Sequence, residues 1–127
     1  MILVDTSVWV QSFRSSRSPE AEEMRRLLER NEVAITGVII GELLQGARDE
    51  HNFQALRSTL GALAYLETSR DTWVNAGRLA FNLRQQGKGI PFTDTLIATV
   101  ALEKQAMVFS LDEHFERVPG LTLHAVG

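Results

Sequence analysis

The chain alternates short runs of aliphatic and β-branched residues with longer segments in which apolar positions recur at helical spacing. Ile2, Leu3 and Val4 form the first run, which stops at Asp5, Thr6 and Ser7, residue types that favour caps and turns. Val8, Trp9, Val10 and Phe13 then carry an apolar helical face as far as Ser15 and Ser16. Ser18 before Pro19 reads as an N-cap with proline at the first helical position, and Met24, Leu27 and Leu28 give this second helix its apolar stripe. Its acids come early, at Glu20, Glu22 and Glu23, and its bases late, at Arg25, Arg26 and Arg30, as the macrodipole prefers.

Val33, Ala34 and Ile35 predict a second strand, followed by an apolar helix from Val38 to Leu44 that Gly46 stops. Phe53, Leu56, Leu60 and Leu63 mark another helix, and Tyr65 with Leu66 a third strand. Helical periodicity returns over residues 70–86 and ends at Gly87-Lys88-Gly89. After Pro91, the residues Leu96, Ile97, Val100 and Ala101 predict a well-buried helix; Met107, Val108 and Phe109 predict a fourth strand, and Leu121, Thr122 and Leu123 a last one. Trp9, Phe13 and Trp73 are expected in the core. Strands this short between longer helices argue for a parallel or mostly parallel sheet covered by helices, in one domain spanning residues 1–127.

Composition narrows the chemistry. The absence of cysteine removes disulfides, thiolate zinc sites, iron–sulfur clusters and cysteine nucleophiles together. A net charge of −3 argues against a simple basic nucleic-acid-binding module. The apolar runs fall far short of the ~20 residues that span a bilayer, and no signal segment opens the chain, so the expected location is cytoplasmic with no membrane association.

Four acidic residues stand where acids are costly. Asp5 ends an apolar strand, Glu42 interrupts an apolar helix, Asp94 opens another, and Asp112 follows the fourth strand. In an open α/β sheet the carboxyl ends of the strands and adjoining helix starts share one crevice, where Asp5, Asp94 and Asp112 would meet and Glu42 could join. A carboxylate cluster without local lysine or arginine calls for a cation. Mg²⁺ or Mn²⁺ suits oxygen ligands and would promote hydrolysis of a phosphodiester. Each position also has a plainer reading: Asp94 as a helix-dipole partner and Asp112 as the N-cap of a short helix through Phe115. Glu42 is hardest to explain that way, between Ile39, Ile40, Leu43 and Leu44.

The blocks Val4-Asp5-Thr6-Ser7-Val8-Trp9, Gly41-Glu42-Leu43-Leu44-Gln45-Gly46-Ala47-Arg48, Pro91-Phe92-Thr93-Asp94-Thr95-Leu96-Ile97-Ala98 and Ser110-Leu111-Asp112-Glu113-His114-Phe115 resemble, in this order, PIN-domain proteins, in particular the VapC-type toxin ribonucleases. The resemblance implies a three-layer α/β/α fold and a Mg²⁺- or Mn²⁺-dependent endoribonuclease, the toxin of a type II toxin–antitoxin pair. It further implies inhibition by a cognate protein antitoxin, a homodimer and a toxin–antitoxin hetero-oligomer. Asp5 and Asp94 would then be the chief metal ligands, and Glu42 and Asp112 would complete the set directly or through waters. Thr6 or Ser7 would hydrogen-bond a carboxylate or bound water. Ser110 stands where such proteins commonly have threonine, and keeps the hydroxyl.

Arg14 and Arg48, less crowded by acids than the other arginines, are candidate contacts for RNA or for an antitoxin that mimics it. Arg25, Arg26 and Arg30 are read as helix faces paired with Glu22, Glu23 and Glu29. His51, His114 and His124 show no zinc-ligand spacing and are assigned surface or strand roles. Two other functions compete: phosphoryl transfer through an aspartyl-phosphate at Asp5, disfavoured because Ser7 stands where a second aspartate is wanted, and a non-catalytic RNA- or protein-binding PIN-like domain, disfavoured because all four acids are present.

Overall fold

The computed structural model describes residues 1–126. Its sheet is built from β1 (Ile2–Val4), β2 (Val33–Thr36), β3 (Ala64–Leu66) and β4 (Met107–Phe109), in the order β3-β2-β1-β4 with every pair parallel. Six helices fill the connections: α1 (Thr6–Arg14), α2 (Pro19–Glu29), α3 (Gly37–Gln45), α4 (Glu50–Gly61), α5 (Arg70–Gln85) and α6 (Phe92–Lys104). A 3₁₀ turn, Glu113–Arg117, follows β4. From β1 to β3 the chain steps outward in one direction and from β3 to β4 it returns past β1. Right-handed crossovers therefore put α1–α4 on one face and α5–α6 on the other. Packing agrees, with α1 against α2 and α3, α3 against α4, and α5 against α6.

Local signals explain the helix boundaries. Ser18 accepts the Ala21 N–H and Pro19 occupies the first turn of α2, while Ser69 and Thr72 close a capping box at the start of α5. Gly87 follows α5 at φ +71°, backbone that a side chain resists. The central strands are buried on both faces, so Leu3, Val4, Ala34, Ile35 and Val108 are sealed from solvent and read as continuous apolar runs rather than alternating ones. The same is true of α6, in which every residue from Thr95 to Ala101 is buried.

Three expectations need correction. Leu121, Thr122 and Leu123 do not form a strand; only an isolated parallel bridge joins Leu123 to Val108. Trp9 is a core residue, but Phe13 is 59% exposed and Trp73 51% exposed, because nothing within the described residues covers the outer faces of α1 and α5. Trp73 instead lies against Phe92, near-parallel with ring centroids 6.4 Å apart.

Candidate active site

The strand order reverses direction at β1, so the crevice opens between the carboxyl ends of β1 and β4. Asp5 follows β1 there, and its N–H donates to the Phe109 carbonyl at 2.9 Å, locking the ends of the two strands together. Asp5 is the N-cap of α1 but makes no side-chain cap bond. Its carboxylate is turned the other way: Oδ2 accepts from Ser7 Oγ and from Ser110 Oγ, each at 2.8 Å. The Ser110 hydroxyl also accepts the Asp112 N–H at 2.9 Å, and Ser7 Oγ accepts the Leu111 N–H at 3.1 Å. Two small hydroxyls thus fix a buried carboxylate and the loop leaving β4 as one unit.

Glu42 lies in α3, whose N-cap Thr36 and apolar residues Ile39 and Leu43 bind it to the core. Its side chain is half-buried and accepts from Thr6 Oγ1 at 2.9 Å, so the residue after Asp5 holds the second acid on the flank of the first. Asp94 sits in the first turn of α6, where no side-chain cap bond is made. Asp112 does cap: Oδ1 accepts the His114 N–H at 3.1 Å and starts the 3₁₀ turn. It also reaches the cluster, because the same oxygen is 2.9 Å from His114 Nδ1, and that nitrogen is 2.9 Å from Asp94 Oδ2. Donor atoms of Asp94, Asp112 and His114 all lie within 4.8 Å of one another.

Burial pushes the Asp94 carboxyl above the usual aspartate range, and the charges of Asp5 and Asp112 push the same way against the opposing His114 hydrogen bond. Among the described residues no lysine or arginine forms an ion pair with Asp5, Glu42, Asp94 or Asp112. An electronegative cradle with this donor chemistry suits a hard or borderline divalent cation.

A family model, the PIN domain, matches residues 2–121. The chain belongs to the PIN-domain family. Within it, this PIN domain groups with the VapC ribonuclease toxins: it is 32% identical over 126 residues to ribonuclease VapC11 of Mycobacterium tuberculosis, covering 96% of this chain and 94% of that one. Ribonuclease VapC2 of Rickettsia felis is 27% identical over 126 residues, covering 95% and 94%. The crystal structure of VapBC2 from Rickettsia felis bound to a promoter DNA fragment superposes with a TM-score of 0.81 at 26% identity, covering 98% of each chain. The α/β architecture derived above is that of VapC structures.

Sequence reasoning missed His114. It lies two residues from Asp112 and 20 from Asp94, a separation with no regular metal-binding spacing; the only available signal was its place in a block with Ser110 and Asp112. His124 has a structural role, its Nε2 hydrogen-bonded to the buried Glu23, which also takes a two-pronged bond from Arg26. Arg14 and Arg48 both line a groove of about 590 Å³ between α1, α3 and α4, with Val10, Phe13 and Leu56, and Glu42 stands in its wall. On this PIN domain Glu42 therefore belongs to the groove's wall and is joined to the Asp5 segment through Thr6, while the donor atoms that cluster are those of Asp94, Asp112 and His114.

Proposed function

We propose that the chain is a metal-dependent endoribonuclease that hydrolyses RNA phosphodiester bonds as the toxin of a type II pair, restrained by a cognate protein antitoxin. One observation carries the reading: Asp94, Asp112 and His114 each bring a donor atom to within 4.8 Å of one another, the buried Asp5 is tied to the same loop through Ser110, and among the described residues no lysine or arginine pairs with these acids. That arrangement costs stability until a cation occupies it.

Mg²⁺ or Mn²⁺ fits the donors, with Asp5 and Asp94 as chief ligands and Asp112 and Glu42 engaged directly or through waters. Such an ion supplies Lewis acidity, making water nucleophilic at neutral pH and screening charge that builds on the scissile phosphate. The chain's own residues do the positioning. Ser7 and Ser110 hold the Asp5 carboxylate, and Thr6 holds Glu42. The loop after β4 opens onto a pocket of about 460 Å³ lined by Ser7, Leu111, Asp112, Glu113, His114 and Arg117, where a phosphate strand would lie beside the acids once a cation screens their charge. Arg117 is the cation on that wall, anchored by its bond to the Gly89 carbonyl at 3.0 Å.

The apolar groove beside Glu42, with Arg14 and Arg48 in its lining, suits an amphipathic antitoxin segment bearing acidic side chains. The exposed apolar residues Trp73, Val74 and Phe81 of α5 suit a homodimer contact, to which antitoxin binding adds the hetero-oligomer. No helix among the described residues is long and apolar enough to cross a membrane, and the proposed place of action is the cytoplasm.

The test is cleavage of a labelled structured RNA pool by the antitoxin-free chain with Mg²⁺ or Mn²⁺, with chelator, and with Asp94→Asn. Metal-dependent cleavage absent from the variant is expected. Cleavage that survives chelator or the substitution overturns the proposal.

A further inference from the structure

The acidic centre contains one nitrogen. His114 is the second residue of the 3₁₀ turn, and its backbone is fixed on both sides: the Asp112 carboxylate caps its N–H, and the next residue, Phe115, is 1% exposed in the core. The imidazole is thus held over the cluster by its neighbours. Its Nδ1 stands 2.9 Å from Asp94 Oδ2 and 2.9 Å from Asp112 Oδ1. For metal–ligand bonds of about 2.1 Å, adjacent corners of an octahedron lie about 3.0 Å apart. Both nitrogen–oxygen separations match such an edge, and the third pair stays within the same 4.8 Å limit. His114 Nδ1 thus stands at the spacing of an adjacent octahedral corner from each oxygen, and its side chain, 33% exposed, borders the open pocket that would supply water or phosphate to whatever positions the carboxylates, Asp5 included, leave free.

We propose that His114 is a direct nitrogen ligand of the divalent cation at this centre, and that the centre therefore favours Mn²⁺ and neighbouring transition ions over Mg²⁺. The inference rests on the metal-dependent reading above and adds the identity of a ligand and of the preferred ion. The metal-free contacts run through an Nδ1–H; binding of the ion would displace that proton, leaving an imidazole protonated on Nε2 with its Nδ1 lone pair free for the metal. Mg²⁺ is hard, takes oxygen and keeps its waters, whereas transition ions accept imidazole readily. One nitrogen among carboxylates therefore gives little to Mg²⁺ and more to Mn²⁺. An all-carboxylate centre lacks that discrimination.

The experiment is pulsed electron paramagnetic resonance on the full chain with one equivalent of Mn²⁺, comparing protein carrying natural-abundance histidine with protein carrying ¹⁵N-imidazole histidine. A nitrogen modulation that changes with the isotope and disappears in His114→Gln is expected. In parallel, Mn²⁺ and Mg²⁺ affinities are measured by calorimetry. His114→Gln is expected to lower Mn²⁺ affinity about tenfold or more and Mg²⁺ affinity less than about threefold.

His114→Asp restores an oxygen donor, so it keeps binding both ions with a lower Mn²⁺/Mg²⁺ ratio and no nitrogen signal, which guards against a variant that simply misfolds. Mn²⁺ binding without histidine nitrogen coupling, or an unchanged affinity ratio in both variants, overturns the assignment of His114 and leaves the nuclease reading standing. Failure of Mn²⁺ and Mg²⁺ to bind at all overturns both.

Discussion

Replacing Asp94 by asparagine separates a metal ligand from a helix-start residue. The amide keeps the shape and one oxygen for His114 but removes a charge from a group that burial and its acidic neighbours already hold above its ordinary range. With a divalent cation at a hundredfold excess over its Kd, the wild-type chain gains about 2.7 kcal/mol by mass action. A domain of 127 residues, at about 2.1 cal/mol/K per residue, has an unfolding entropy of about 0.27 kcal/mol/K, so Tm rises by about 10 °C. A thirtyfold loss of affinity leaves about 0.9 kcal/mol, or about 3 °C.

Without metal the sign reverses. At neutral pH the ionised Asp94 is a cost to the native state, so the chelated variant melts at or above the wild type. The assay is scanning calorimetry of both chains at pH 7.5, in chelator and across Mg²⁺ and Mn²⁺ series. An equal metal shift in the two proteins would refute the role of Asp94 as a ligand. A metal-free variant that fails to fold would refute the view that its charge is a burden and restore the dipole-partner reading.

Ser110→Ala removes the hydroxyl that both supports Asp5 and caps the Asp112 N–H; RNA cleavage is expected to fall about 10–100-fold for a stability loss of only about 1 kcal/mol, with Ser110→Thr restoring activity, and full activity in the alanine variant would count against the positioning role. The Arg26 guanidinium and the His124 imidazole, opposed by burial, hold Glu23 down at about 2 against an ordinary 4.5, so its contribution is complete above pH 4.5 and is lost as pH falls toward 2. The shift alone would correspond to about 3 kcal/mol, but Arg26 is 42% exposed, and solvent screening reduces the expected loss to about 1–2 kcal/mol. Urea titrations of Glu23→Gln at pH 7 and pH 3 read this directly: the destabilisation should be present at pH 7 and shrink at pH 3, and equal values at the two pH values would contradict it. Trp73→Glu and Val74→Glu, at side chains more than half exposed, should convert a dimer to a monomer in sedimentation while changing the monomer's stability by less than about 1 kcal/mol; an unchanged dimer would move the interface elsewhere.

The parts of this molecule that its sequence displays are those where a residue type is costly in its local setting. Asp5 at the end of an apolar strand and Glu42 within an apolar helix violate the local pattern, and a violation can be read without knowing what lies across the fold. The strands were legible for the same reason, as apolar runs too short for helices and bounded by caps. What stayed hidden depends on partners far away in the chain. His114 becomes a member of the site only because β4 delivers the 3₁₀ turn to the start of α6, and Glu23 becomes a buried anchor only because His124 arrives from 101 residues away. Phe13 and Trp73 carry the apolar spacing of core residues, yet spacing says only that a face is apolar, not that the chain supplies something to cover it. The uncovered faces are also informative: exposed Phe13 and Trp73 leave apolar surface on α1 and α5 of the kind that protein partners cover, and the acids of the crevice lack the lysine or arginine that would neutralise them, so the proposed function asks for a protein partner at the first and a cation at the second.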